Sequence, residues 1–231
     1  MMSRIKFSEV GEDERLNIHQ LINYFQDCST FHLTDLNIDL QKMKIGFYML
    51  SWQIELNKLP KLGESVKIVT FMHEGKGAFG YRNYLLYNEQ NEVLAYANMS
   101  GCFIHTENGS LMKLTKAQHN AYPLGEKLEM DYLPRKIITP EFKEVYPEIL
   151  VSKCHIDIYH HVNNAQYVAI ALNYLPQDLK YTQLRVEYKQ AAKLNDQLIP
   201  MTVEENGIYY ISLCNEQHQP YVVLAFSIKD A

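Results

Sequence analysis

The sequence lacks the marks of several protein classes. Its four cysteines, Cys28, Cys102, Cys154 and Cys214, make no CxxC pair and no compact Cys/His group at zinc-finger spacing. That points to reduced, mostly buried thiols in a reducing compartment. A basic excess is missing as well: 22 Lys and Arg stand against 27 Asp and Glu, a formal net charge of -5. A general nucleic-acid binder needs the opposite balance to neutralise phosphates. No stretch approaches the ~18 uncharged apolar residues that cross a bilayer. The opening run, MMSRIKFSEVGEDERLN, has no apolar signal-peptide core. The expectation is a cytoplasmic protein that engages neither nucleic acid nor membrane.

What is present is an ordinary globular composition. The 231 residues are 47% hydrophobic and include 17 tyrosines. Tyrosine suits half-buried sheet surfaces, so a strand-rich fold is expected. The length allows one large domain or two small ones, and internal repetition favours two. Residues 52–64, WQIELNKLPKLGE, match residues 184–196, LRVEYKQAAKLND, and pair Glu55 with Glu187. Residues 84–90, YLLYNEQ, match residues 211–217, ISLCNEQ, in the same order.

Each half opens with a helical pattern. Leu16, Leu21, Ile22, Phe25 and Cys28 share one helical face between about 15 and 30. The stretch from Val162 to Leu175 is apolar on most sides, as a buried helix is, and Pro176 stops it. Strand-like runs follow in both halves, separated by turn formers such as Asn88–Asn91 and Asn206-Gly207. Asn206-Gly207 reads as a tight hairpin turn, because both residues tolerate positive φ. The fold class expected is α+β, with a long helix against a curved antiparallel sheet in each half. The proline-punctuated segment 116–148 reads as a linker between a unit at 1–115 and a unit at 149–231.

The run that carries chemistry is 155–167, HIDIYHHVNNAQY, which places polar groups at the start of the buried helix. Free N–H groups and the helix dipole there favour developing negative charge, such as a tetrahedral oxyanion. Two readings stand side by side. Asp157, Asn163 and Asn164 are either turn and cap residues or members of an active site. His155, His160 and His161 lack the i, i+4 spacing of a helical metal-ligand pair, so a metal site is the weaker reading.

The run HIDIYHHVNNAQYV resembles the signature of the plant and bacterial acyl-acyl-carrier-protein thioesterases, Asp-x-Asn-x-His-Val-Asn-Asn-x-x-Tyr. The resemblance extends over nearly the whole chain, including the helix that ends LINYFQDCS. It implies two tandem hotdog units, each a long helix wrapped by an antiparallel sheet. It also implies hydrolysis of a fatty acyl thioester on acyl carrier protein, with no metal and no organic cofactor. Asp157 and His161 then match the motif Asp and His, and Asn163 and Asn164 the paired asparagines. Asp157 would orient the site or activate water, and His161 would act as acid, base or donor to the carbonyl and leaving thiolate. His160 and Asn164 join as candidate substrate-binding groups.

Two departures qualify the match. Tyr159 stands where the family has Asn, and is the candidate to substitute for it. In the run Glu187-Tyr188-Lys189-Gln190-Ala191-Ala192, the family's acidic position falls on Ala191 and its cysteine position on Ala192. A cysteine nucleophile is therefore excluded there. Glu187, taken as four strand residues from Ala191, would lie too far to replace the missing acid. In the first half, Asp13 pairs with the motif Asp and Asn17 with the motif His, so that half would hold the acyl chain through residues such as Phe25 and Trp52. Acidic carrier protein would need a basic patch, with Arg135, Lys136, Lys153, Lys180, Arg185, Lys189 and Lys193 as candidates. A homodimer is possible. The alternatives are a non-catalytic acyl or acyl-carrier-protein binding protein and a thioesterase for coenzyme A esters.

Overall fold

The computed structural model describes residues 1–115, 122–177 and 179–228. The chain divides into two compact units, Met1–Leu133 and Pro134–Ala231. The division falls inside the expected linker, of which 116–121 lie outside the described residues.

Unit 1 holds one long helix, α1 (Ile18–Asp35), and five strands: β1 (Met2–Arg4), β2 (Ile45–Leu56), β3 (Ser65–Lys76), β4 (Phe79–Tyr87) and β5 (Val93–His105). They pair antiparallel in the order β1-β3-β4-β5-β2. The helix forms because Ile18, Leu21, Ile22, Phe25 and Cys28 make one buried stripe. It runs further than the apolar pattern suggests. Thr30 and Thr34 bond back to the carbonyls of Gln26 and Thr30, and the turn ends only at Asn37, with φ +55°. Phe25 packs on Trp52 and Tyr84, with ring centroids 5.8 and 5.0 Å away. The helix therefore covers one face of the sheet.

Unit 2 holds a shorter helix, α2 (Asn164–Leu172), preceded by β6 (Glu144–Val145) and β7 (Ile149–Leu150). It is followed by β8 (Gln183–Tyr188), β9 (Gln197–Glu205), β10 (Ile208–Cys214) and β11 (Pro220–Ser227). The antiparallel order is β8-β11-β10-β9-β6, and β7 also pairs with β9. The chain leaves the helical ladder after Leu172, in a looser turn that reaches Leu175. In β9–β10, Asn206 and Gly207 both take positive φ, at 53° and 75°, as a two-residue hairpin demands.

The sequence repeat is repeated in hydrogen bonds. The side chain of Asn88 accepts from the N–H groups of Gln90 and Glu92, and that of Asn215 accepts from Gln217 and Gln219. Both Asn-Glu-Gln runs are thus the same turn. Likewise Glu64 accepts from Lys61 N, and Asp196 from Lys193 N.

The segment after Tyr122 lies along the sheets rather than looping away. In unit 1, Gly125 N donates to Met72 O, and Leu128 N and Tyr132 OH donate to the buried Asn83 side chain. In unit 2, Arg185 reaches the carbonyls of Pro134 and Lys136, and Ile137 N donates to Glu187 at 2.9 Å. Each sheet uses the segment to satisfy polar groups that its own strands leave buried.

Candidate active site

The motif residues form a closed loop at the N-terminus of α2. Asp157 Oδ1 accepts from Tyr159 N at 2.8 Å and from His161 N at 3.4 Å, and Asp157 N donates to His161 O at 2.8 Å. The tightness forces His160 to φ +63°. Asn163 is the N-cap of α2, its side chain accepting from Ala165 N at 2.8 Å.

The family's cysteine position, Ala192, is brought to the same place. Ala192 O accepts from Val162 N at 2.9 Å, and Ala192 N donates to Tyr167 OH at 2.7 Å. Tyr167 is fully buried on α2, so it fixes the distance between the helix start and the segment after β8. Tyr188 donates to Asn164 O at 3.0 Å, and burial holds its phenol well above its ordinary pKa, so it remains a donor. Tyr167, the last residue of the motif run, and Tyr188 were not singled out from sequence. Both sit on apolar faces, where they read as core.

Ala191 is not a strand residue. The strand β8 ends at Tyr188, after which the N–H groups of Lys189 and Gln190 both turn to Tyr221 O. Distances counted along an extended strand therefore do not apply beyond Tyr188. Glu187 accepts from Ile137 N and pairs with Lys189 at 3.0 Å, so its carboxylate is committed to structure.

Most backbone N–H groups expected to hold an oxyanion are already committed. The N–H groups of Tyr159, His160, His161, Val162, Asn163, Ala165 and Gln166 all donate within the protein. That turns attention to the side chains. No hydrogen bond among the described residues engages the half-buried imidazole of His161 or the amide N–H₂ of Asn163. Tyr159 is 65% exposed, and His160 is exposed too. His155 is drawn away, its Nδ1 accepting from Ser152 N. Among the described residues no group of three or more His, Cys, Asp or Glu side chains gathers as metal ligands would.

Phe25 and Trp52 belong to unit 1, where both are fully buried between α1 and the sheet, with Leu21 and Met72. Of the seven candidate basic residues, Arg185 is spent on backbone carbonyls and Lys189 on Glu187.

Unit 1 carries the same loop, and its hydrogen bonds correct the pairing expected from sequence. Asn17 N donates to Glu9 O as Asn163 N does to His155 O. Leu16 N donates to Pro60 O as Val162 N does to Ala192 O. Gly11 N donates to Arg15 O as Asp157 N does to His161 O, and Glu14 takes φ +59° where His160 takes +63°. Gly11 therefore stands at the position of Asp157, Asp13 at Tyr159, Arg15 at His161 and Asn17 at Asn163. The expected pairs, Asp13 with Asp157 and Asn17 with His161, are each two residues out of register.

Comparisons with known proteins agree along the chain. Residues 2–122 match the acyl-ACP thioesterase N-terminal domain, and residues 141–221 its C-terminal domain. The chloroplastic acyl-[acyl-carrier-protein] hydrolase FATB3 of Cuphea viscosissima is 23% identical over 218 residues, covering 86% of this chain and 53% of its own length. The chain thus spans about half the length of the curated relatives it matches. An acyl-ACP thioesterase from Bacteroides thetaiotaomicron superposes with a TM-score of 0.89 at 17% identity, over 99% of this chain and 96% of that one. The 12:0-ACP thioesterase of Umbellularia californica gives 0.83 at 15% identity, over 98% and 95%. The fold is that of two tandem hotdog units.

Proposed function

We propose, starting from the fact that this chain belongs to the acyl-ACP thioesterase family, that it hydrolyses fatty acyl thioesters of acyl carrier protein to free fatty acid and holo-carrier. The observation that carries this reading is the match of both halves to the family's two domains, with the Asp157–Asn164 loop built at the start of α2. Unit 2 is the catalytic half in this reading and unit 1 holds the acyl chain, the chain passing from one to the other between Leu133 and Pro134 within the segment 116–148.

Water is the nucleophile in this scheme, because Ala192 leaves no thiol at the family's cysteine position. His161 takes the proton of the attacking water and returns it to the departing thiolate. Asp157 keeps the loop closed through Oδ1, and its other oxygen can orient the water. The amide of Asn163 offers the donor that the committed backbone N–H groups do not, and Asn164 and His160 line the approach. Tyr159 can offer its phenol only if the loop turns it inward from its exposed position. Ala191 carries no carboxylate where the family has an acid, so turnover slower by about 10²–10⁴ than in relatives with that acid is expected. A cytoplasmic role in fatty acid biosynthesis fits four free thiols, one of them exposed.

The test is hydrolysis of acyl-carrier-protein and coenzyme A thioesters, with thiol and free acid both quantified, for the parent and for His161→Ala. Turnover that disappears in the variant supports the assignment, and turnover on coenzyme A esters alone replaces the carrier. Parent-level activity in His161→Ala refutes the site. Carrier binding without turnover identifies an acyl-carrier-protein binding protein instead.

A further inference from the structure

The interior of unit 1 holds side-chain N–H donors that meet no protein acceptor among the described residues. Arg82, on β4, is only 5% exposed. Register sets it opposite Met72 of β3 on one side and Met99 of β5 on the other, with Met99 opposite Trp52 of β2. Met72, Arg82, Met99 and Trp52 thus make one row across four strands, on the face that α1 covers. The guanidinium reaches α1: Nη1 donates to His32 Nδ1 at 3.0 Å and to Thr70 Oγ1 at 3.2 Å.

Both acceptors are neutral, since burial and then the charge of Arg82 itself lower the pKa of His32. Among the described residues no carboxylate pairs with Arg82. A guanidinium presents five N–H donors; Nη1 is bonded, while Nε and Nη2 have no partner among the described residues and are not fully sealed from an incoming group. Burying such a group without a counter-charge is strongly unfavourable. Trp52 repeats the pattern. It is 1% exposed, and its Nε1–H finds no acceptor among the described residues. Tyr84, two residues along β4 on the same face, is fully buried, and its hydroxyl lies near those of Ser29 and Thr70 without completing a hydrogen bond of ordinary geometry among the described residues. A cavity for plain hydrocarbon gains nothing from these groups.

We propose that the interior of unit 1 recognises an acyl chain that carries an acceptor oxygen, as a hydroxyl, keto or carboxyl group, and that Arg82 is the specificity-determining residue. The fork of Arg82 receives the oxygen, with Trp52 as a second donor in the same row, and the flexible Met72 and Met99 side chains pack the hydrocarbon on either side. The inference rests on the reading of unit 1 as the acyl-binding half.

Trp52 is the single tryptophan of the chain, so its fluorescence reports on this row without any hydrolysis. The full chain is titrated with saturated fatty acids and with the same acids bearing a hydroxyl, keto or second carboxyl group, mid-chain or terminal. At least one oxygenated acid should bind about tenfold tighter or better than its unsubstituted parent. Arg82→Met should reduce that preference to about twofold or less, and Arg82→Lys, which keeps the charge without the fork, should retain part of it. Equal affinity for all acids, or a preference that survives in Arg82→Met, overturns the proposal. Because the first of these outcomes is read on the parent protein, a misfolded variant does not rescue the idea. Silence toward every acid overturns it together with the acyl-binding reading of unit 1. Failed thioester hydrolysis with the binding preference intact overturns only the hydrolase.

Discussion

Replacing Asp157 by Ala and, separately, by Asn divides shape from charge at the motif. Asp157 Oδ1 holds the N–H groups of Tyr159 and His161 in a loop that forces His160 into left-handed backbone. Alanine removes both acceptors. The loop is half-exposed, so water recovers part of the loss, and about 1–2 kcal/mol of stability should go. For a chain of this size that lowers the melting temperature by about 2–8 °C. Asparagine offers an amide oxygen to the same two N–H groups, so its melting temperature should stay within about 2 °C of the parent. Rate should behave differently. If the carboxylate orients or activates water, both variants lose about 10²–10⁴ in kcat/KM on acyl carrier protein thioesters. Thermal melts and thiol-release kinetics on the three proteins decide the matter. A slow but stable Asp157→Asn supports a chemical role. Full activity in Asp157→Asn with loss in Asp157→Ala reduces Asp157 to a loop fastener. A parent-like melting temperature in Asp157→Ala refutes the structural argument.

Tyr167→Phe leaves the buried Ala192 N–H without its 2.7 Å partner, and should cost about 1–3 kcal/mol in urea unfolding while slowing turnover; an unchanged midpoint counts against Tyr167 as the tie between α2 and the segment after β8. Burial lowers the pKa of His19, His32 and His73, all in unit 1. The unfolded chain then binds more protons than the folded one below its ordinary value of 6.5, so stability is full above that pH and falls as pH drops through it. Urea midpoints read by Trp52 fluorescence should decline on acidification, less steeply in His73→Gln, and a flat profile refutes the assignment. Gly101→Ala would set a Cβ 2.1 Å from the Phe47 ring, which must leave its edge contact with Phe103; a loss of about 1–3 kcal/mol is expected, and none if that ring swings out freely.

The long elements were legible because their side chains alternate or repeat cleanly. The strands β2 to β5 and β9 to β11 coincide closely with the apolar runs, and the Asn-Glu-Gln repeat proved to be one turn used twice. The strands β1, β6 and β7 were not read, since two or three residues carry no period and form only because a neighbouring edge is open to them. The end of β8 was overrun for a related reason. The apolar pattern continues through Ala191 and Ala192, but their positions are set by Tyr221, Val162 and Tyr167, which lie far away in sequence. At the site, Asp157, His161 and Asn163 were named from the motif. The turn and cap bonds of Asp157 and Asn163 were foreseen as one of two readings, but the backbone-to-backbone bonds of His160, Val162, Asn163 and Gln166 were not, because such bonds leave no trace in residue identity.

That same blindness misaligned the first half. Asp13 was matched to Asp157 by residue type, yet the bonds that define the loop are backbone to backbone and put Gly11 there instead. A repeated scaffold can therefore exchange the Asp and the His of the motif, keeping the asparagine at Asn17 and Asn163, without changing shape. In unit 1 the position of His161 holds Arg15, whose guanidinium is a donor anchored on Leu59 O at 2.8 Å. The position of Asp157 holds a glycine with no carboxylate at all. With glycine at the position of Asp157 and arginine at that of His161, the unit 1 loop lacks the pair that unit 2 offers for activating water, however closely it copies the other's backbone. That difference in side chains is the reason for proposing that the chemistry lies in unit 2 and that unit 1 binds the acyl chain.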